Sequence, residues 1–152
     1  MKRDSTSDRL QRSPIHLLHR AGQCAGDIFH AEMMHGELTP RQFAVLYTVA
    51  NNEGLSQTGL VERTGIDRST LADIVRRMQR KGLLQRRRTK EDARAYAVKL
   101  TEEGRRVLRA ADPAAKRVDQ RILEALSGKQ REQFMNELQS IVDTLQRLAP
   151  GR

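Results

Sequence analysis

Residues 56 to 82 read as two helices joined by a tight turn, and no other stretch restricts the fold as strongly. Ser56-Gln57-Thr58-Gly59-Leu60-Val61-Glu62-Arg63 has a capping serine followed by apolar Leu60 and Val61. Gly65 comes next, in a turn where a left-handed backbone costs glycine little. Asp67-Arg68-Ser69-Thr70 then opens a second helix, with Asp67 or Ser69 as its N-cap. Leu71, Ile74, Val75 and Met78 recur at helical spacing and form the buried stripe. Arg68, Thr70, Asp73, Arg76, Arg77 and Arg80 fall outside the stripe and are free to face a partner. Two helices around a short glycine-containing turn form a helix-turn-helix, whose second helix enters the major groove of duplex DNA.

The following residues extend this reading. Gly82 ends the helix, Leu83 to Arg88 reads as a strand, Thr89 to Arg94 as a loop, and Ala95 to Leu100 as a returning strand. From Arg76 to Arg94 there are nine Lys or Arg against two Asp or Glu. Cations at that density repel one another unless an anion neutralises them, and the phosphate backbone does so with release of condensed counterions. Arg86, Arg87 and Arg88 alternate in direction along a strand, so at most two of them face DNA together. Arg86 and Arg88 are taken as that pair.

Composition bounds the partners. The 152 residues carry 28 Lys+Arg against 19 Asp+Glu, a formal charge of +9. Such a balance favours polyanions. Aromatic residues make up 3% of the chain, with no Trp, which disfavours modules that stack single-stranded bases on exposed rings. No apolar run approaches the length of a membrane span, and no secretory leader is evident. A single cysteine excludes an intramolecular disulfide framework and fits a reducing, cytoplasmic setting. There is no Gly-rich phosphate loop, no His-Glu-x-x-His and no nucleophile elbow, so the chain is not read as an enzyme and no cofactor is expected.

Outside the DNA unit the chain is helical. Residues 1–12 are polar, without periodicity, and read as a flexible arm. Ser13-Pro14 starts a helix running to about Met34 or His35, with Leu17, Leu18, Ala21, Cys24, Ala25, Ile28 and Phe29 as its stripe and Gly36 as its stop. Thr39-Pro40 starts the next, lined by Phe43, Leu46, Tyr47 and Val49. Thr101-Glu102-Glu103-Gly104 opens a long helix that Pro113 is expected to kink or interrupt. A last helix follows Ser127-Gly128. Its Phe134, Leu138, Ile141, Leu145 and Leu148 step by 4, 3, 4 and 3, the spacing of a helix-packing seam. A DNA unit of this size cannot bury all three terminal stripes, which implies that the chain ends pack together and against a second copy. A two-fold homodimer also suits two-fold DNA sites.

The order of these elements resembles the MarR family of winged-helix regulators, from about Ser13 to Leu148. The marks are Leu38-Thr39-Pro40-Arg41-Gln42-Phe43, Asp67-Arg68-Ser69-Thr70, Lys81-Gly82-Leu83-Leu84, Asp92-Ala93-Arg94 and Leu100-Thr101-Glu102-Glu103-Gly104. The resemblance implies a mainly α fold with a small β-hairpin wing. Residues 37–100 would form the winged helix-turn-helix, flanked by dimerisation helices at 13–36 and 101–149, in one compact domain overall. It also implies a dimeric repressor or activator of pseudo-palindromic promoter DNA. Arg94 would be the wing arginine entering the minor groove, where a narrow A·T tract concentrates negative potential. Asp92 would orient it. Arg68, Ser69, Thr70, Asp73, Arg76 and Arg77 would serve the recognition helix.

The run Ser13-Pro14-Ile15-His16-Leu17-Leu18-His19-Arg20-Ala21-Gly22-Gln23 resembles a subgroup responding to intermediates of aromatic-acid degradation, including hydroxycinnamoyl-CoA thioesters. On that resemblance His19, Arg20 and Gln23 would face a small aromatic acid or aromatic acyl-CoA, whose binding releases a repressor from its promoter. The bland alternative is that His16 and His19 are polar positions of a dimer interface. Other switches use the same helix. His16 and His19 are spaced as two metal ligands, without an obvious third or fourth. Cys24 is a candidate peroxide sensor, although its place on the apolar stripe reads as a buried structural thiol. A constitutive or architectural DNA-binding protein would need no effector at all. Thr70, Asp73 and Arg76 argue against the architectural reading by giving the recognition helix the mixed chemistry of base readout.

Overall fold

The computed structural model describes residues 5–33, 38–89 and 96–150. The elements run α1 (Ser5–Gln11), α2 (Pro14–Glu32), α3 (Pro40–Ala50), α4 (Gln57–Thr64), α5 (Arg68–Arg80), β1 (Leu84–Arg88), β2 (Tyr96–Leu100), α6 (Glu102–Ile122) and α7 (Gly128–Leu148). The fold is mainly helical with one antiparallel hairpin, as the sequence implies.

Side-chain caps set most of the helix starts. Ser13, Thr39, Ser56, Asp67 and Thr101 each accept a bond from a backbone N–H three residues on, satisfying donors that a helix start leaves open. At α3 the cap is reciprocal. Gln42 N–H donates to Thr39 Oγ1 at 3.2 Å while Gln42 Oε1 accepts from Thr39 N–H at 3.1 Å. The α5 C-terminus closes with Gly82 N–H donating to Gln79 O and Leu83 N–H to Met78 O, both at 2.9 Å. This paired motif turns the chain directly into the hairpin.

The main core joins α3, α4, α5, the hairpin and the first half of α6. Leu46, Leu60, Leu71, Met78, Val45, Val75 and Val98 are fully buried in it. Leu71, Ile74, Val75 and Met78 are all buried, so the expected stripe of the second helix is the observed one. In α6, Leu108 and Ala111 belong to this core, while Ala115 and Val118 pack with Phe29 of α2 in a second, smaller cluster. One helix thus serves as a common spine for the DNA unit and the N-terminal helix. Its start is pinned to the α5–β1 turn. Thr101 Oγ1 donates to Gly82 O at 2.6 Å, and a Cβ at Gly104 would collide with the carbonyl oxygen of Leu83.

Three expectations need correction. Residues 5–11, read as part of an arm without regular structure, form helix α1. The polar sequence shows no apolar period, but α1 has α2 to lean on. Pro113 does not interrupt α6, which continues from Glu102 to Ile122. Pro113 is exposed, whereas Ala111, Ala114 and Ala115 are buried and hold both halves to the core. The carbonyl that proline leaves without a donor belongs to exposed Arg109, where water can serve it. Cys24 is exposed in the protomer rather than buried. Only the end of α2 is covered by α6, through Phe29, so the stripe ahead of it is left open.

Candidate nucleic-acid interface

The turn between α4 and α5 is built for close spacing. Gly65 caps α4 at φ 69°, its N–H donating to Val61 O at 2.9 Å. Another residue type would be strained there. Thr64 Oγ1 donates to Leu60 O at 2.6 Å and accepts from Ile66 N–H at 3.3 Å. Buried Ile66 then anchors the turn in the core. Asp67 follows as the N-cap of α5, its Oδ2 accepting from Thr70 N–H at 3.1 Å and from Ser69 Oγ at 2.8 Å. Hydrogen bonds from Thr70, through its side chain and its backbone N–H, and from the Ser69 hydroxyl hold this carboxyl down to a pKa of about 2.

The face of α5 opposite the core is cationic. Arg68, Ser69, Arg76, Arg77 and Arg80 are exposed, and Thr70 and Asp73 are partly so. Asp73 is the single acid of this helix. Its Oδ2 lies 3.0 Å from Arg77 Nε and its Oδ1 lies 3.9 Å from Arg76 Nη2. An open concavity of about 450 Å³ runs between α5 and the start of α3, lined by Arg41, Thr70, Asp73 and Arg77 among others. Arg41 is a cation that the sequence reading passed over. Its signal was its place at the first turn of α3, directly after Thr39-Pro40.

The hairpin pairs Leu84 with Leu100, Arg86 with Val98 and Arg88 with Tyr96. These six share one face of the ribbon, which is buried at Leu84, Val98 and Leu100 and emerges at Arg88 and Tyr96. Arg88 sits over the Tyr96 ring, 5.9 Å from its centroid, an attractive placement of cation on π-face. Arg86 is half-buried, with Nη2 donating to Gln57 Oε1 at 3.0 Å. Arg87, on the opposite face, is exposed. Asp92 and Arg94, like Lys90, lie outside the described residues, as do His35 and Gly36.

On α2, His19 and Gln23 line an open concavity of about 500 Å³ with Ile15, Leu18 and Gly22. Arg20 is exposed on the same helix but does not line it. Gln23 Nε2 donates to Asp27 Oδ1 at 3.5 Å. Further along, Glu32 is forked by two arginines of α6, with Arg117 Nε and Arg121 Nη1 each 3.1 Å away. The hydrogen bonds from Arg117 and then Arg121 keep its carboxyl below the ordinary range. This tie between helices spans more than eighty residues of chain and has no local signature in sequence. Among the described residues, no three His, Cys, Asp or Glu side chains gather as metal ligands would. No helix there is long and apolar enough to cross a membrane.

The arrangement has relatives. Residues 37–95 match the model of a family described as MarR family. The transcriptional regulator HosA of Escherichia coli is 36% identical over 108 residues, covering 71% of this chain and 80% of HosA. The crystal structure of the PcaV transcriptional regulator from Streptomyces coelicolor, in complex with its natural ligand, superposes with a TM-score of 0.83. It is 34% identical, and the match covers 88% of this chain and 94% of that one. BpsR of Bordetella bronchiseptica, whose DNA binding is regulated by 6-hydroxynicotinic acid, gives a TM-score of 0.77 at 28% identity. That match covers 84% of this chain and 96% of that one.

Proposed function

The chain belongs to the MarR family of winged-helix transcriptional regulators, and we propose that it is a cytoplasmic homodimeric repressor released from promoter DNA by a small aromatic acid or aromatic acyl-CoA. The observation that carries the DNA half is the cationic outer face of α5, held rigidly over a core that buries Leu71, Val75 and Met78. In this reading Arg68, Ser69, Thr70 and Asp73 meet base edges near the helix start. Arg76 and Arg77 hold phosphates. Arg88 reaches the backbone from the wing, and Arg94, oriented by Asp92, enters the minor groove.

The effector half rests on the concavity beside His19 and Gln23. Ile15 and Leu18 offer apolar surface for a ring, and His19, Gln23 and nearby Arg20 offer polar and cationic partners for a carboxylate. That BpsR responds to an aromatic acid supports this class of ligand. The switch needs only differential affinity. A ligand that prefers the protomer spacing unsuited to DNA by 100-fold weakens DNA binding by about 2.7 kcal/mol, and DNA weakens the ligand reciprocally.

Calorimetry of the free protein with aromatic acids and their CoA thioesters, followed by release from promoter DNA, tests the proposal. A ligand should bind the free dimer and displace it from DNA, and His19→Ala should blunt both. Binding of no aromatic acid or thioester, with promoter binding intact, would remove the effector half. Chelator-sensitive DNA binding would favour metal sensing. Peroxide sensitivity abolished by Cys24→Ser would favour redox sensing.

A further inference from the structure

Arg86 sits where the hairpin meets the helix-turn-helix, in surroundings unlike those of Arg87 and Arg88. It pairs in register with fully buried Val98. Its Nη2 is bonded to Gln57, 29 positions earlier in the chain. Its Nε is buried and has no hydrogen-bond partner among the described residues. Withdrawing a guanidinium donor from water costs free energy, so this is not the posture of an arginine extended toward phosphate. The backbone ties the same junction. Val98 N–H donates to Leu55 O at 3.0 Å, and Ser56 bridges Ala97. Gln57 is the first residue of α4 and Ser56 is its N-cap. Whatever fixes Gln57 therefore fixes the helix-turn-helix relative to the root of the hairpin.

We propose that Arg86 is a positioning residue for the wing and not a DNA contact: through Gln57 it sets the angle between the hairpin and α4. The proposal rests on the reading that the hairpin touches DNA. A ribbon is stiff along its length, so a small rotation at Arg86 becomes a larger displacement of Arg88. The cationic run Arg86-Arg87-Arg88 then divides by role. Arg86 braces, and the residues toward the tip bind.

The test is titration of the full-length chain against a duplex that the wild-type protein selects from a randomised library. Gln57→Leu and Arg86→Gln should each weaken binding about tenfold, and the double variant should be no weaker than either, because both remove one brace. Arg88→Ala should weaken the wild type several-fold but add little in the Arg86→Gln background, a coupling in DNA affinity that a loss of folding stability alone does not produce. Wild-type affinity in Gln57→Leu beside a loss in Arg86→Gln overturns the proposal and makes Arg86 a direct contact. Independent, multiplying losses, or no loss in Arg86→Gln, overturn it as well. Should Arg86→Gln fail to fold by circular dichroism, the pairing of Gln57→Leu with Arg88→Ala decides the matter by the same coupling. A wild-type protein that selects no duplex fails the underlying reading instead.

Discussion

The Ser69 hydroxyl donates to the carboxylate of Asp67 at 2.8 Å, at the first turn of the recognition helix. An ionised carboxylate has no proton to give, so the hydroxyl hydrogen is committed to it. Ser69 Oγ then presents only lone pairs to DNA. It can accept from adenine N6 or cytosine N4, but it cannot donate to a phosphate or to guanine O6 and N7. Ser69→Ala should therefore lower discrimination at one base position by about 1 kcal/mol while leaving binding to unrelated sequences unchanged. Titration against single-base variants of the selected duplex measures this. Uniform weakening across all variants would make Ser69 a phosphate ligand and defeat the argument.

Asp73 restrains Arg77 in the free protein through a 3.0 Å ion pair, and on the proposed reading it places an acid on the face turned toward DNA. The pair is exposed and worth only about 0.3–0.5 kcal/mol, so its larger effect is on binding. Asp73→Ala should tighten binding to random DNA by about threefold to tenfold, because it frees a cation and removes a repulsion. The ratio of specific to random affinity should fall. Competition titration with mixed-sequence DNA checks both, and unaltered random-DNA affinity would show that Asp73 does not face the duplex.

The legible and illegible parts of the chain differ in what carries their signal. The stripe of Leu71, Ile74, Val75 and Met78 was readable because helical period and burial coincide, and the cap was narrowed to Asp67 or Ser69 because capping chemistry is local, with the structure selecting Asp67. The placement of Cys24 was not, since an apolar stripe does not say how far along a helix its cover extends. The interruption allowed for at Pro113 is absent for the converse reason. Its ring faces solvent, and the alanines opposite hold α6 together across it. Glu32 with Arg117 and Arg121, and Arg86 with Gln57, join residues far apart in the chain and leave no pattern at short range. For Asp92 and Arg94, which lie outside the described residues, the family resemblance remains the ground of the assignment.

The cap at Asp67 should give the fold an acid-side dependence. Its carboxyl is held down to about 2 in the folded chain, below its ordinary value of 3.8. Because the folded value is the lower, its stabilising contribution is complete above the unfolded pKa. That contribution is lost as pH falls from about 4 toward 2. Asp67→Asn keeps a side-chain acceptor at the cap but has no proton to gain. Thermal melts between pH 5 and pH 2 should therefore fall less steeply for Asp67→Asn than for the wild type. Parallel curves would assign the acid loss to other carboxyls, among them Glu32, which Arg117 and Arg121 also hold low.

No residue of α7 is buried in the protomer, although Phe134, Met135, Ile141, Val142, Leu145 and Leu148 lie along it. Exposed Ile15, Leu17 and Leu18 of α2 and Ile122 of α6 add to this apolar surface. Burying one such aliphatic side chain is worth about 2 kcal/mol, and a two-fold axis counts each twice. Ile141→Glu should thus introduce two buried charges per dimer and leave a monomer at micromolar concentration. Helix content should persist, because α2 to α6 keep their own core. DNA affinity should fall by about 100-fold or more, since the second recognition unit is no longer delivered at high effective concentration. Sedimentation velocity and titration on the selected duplex give the two readouts together. A variant that sediments as a monomer yet binds as tightly as the wild type would separate DNA binding from dimerisation. One that stays dimeric would show that α7 does not form the seam.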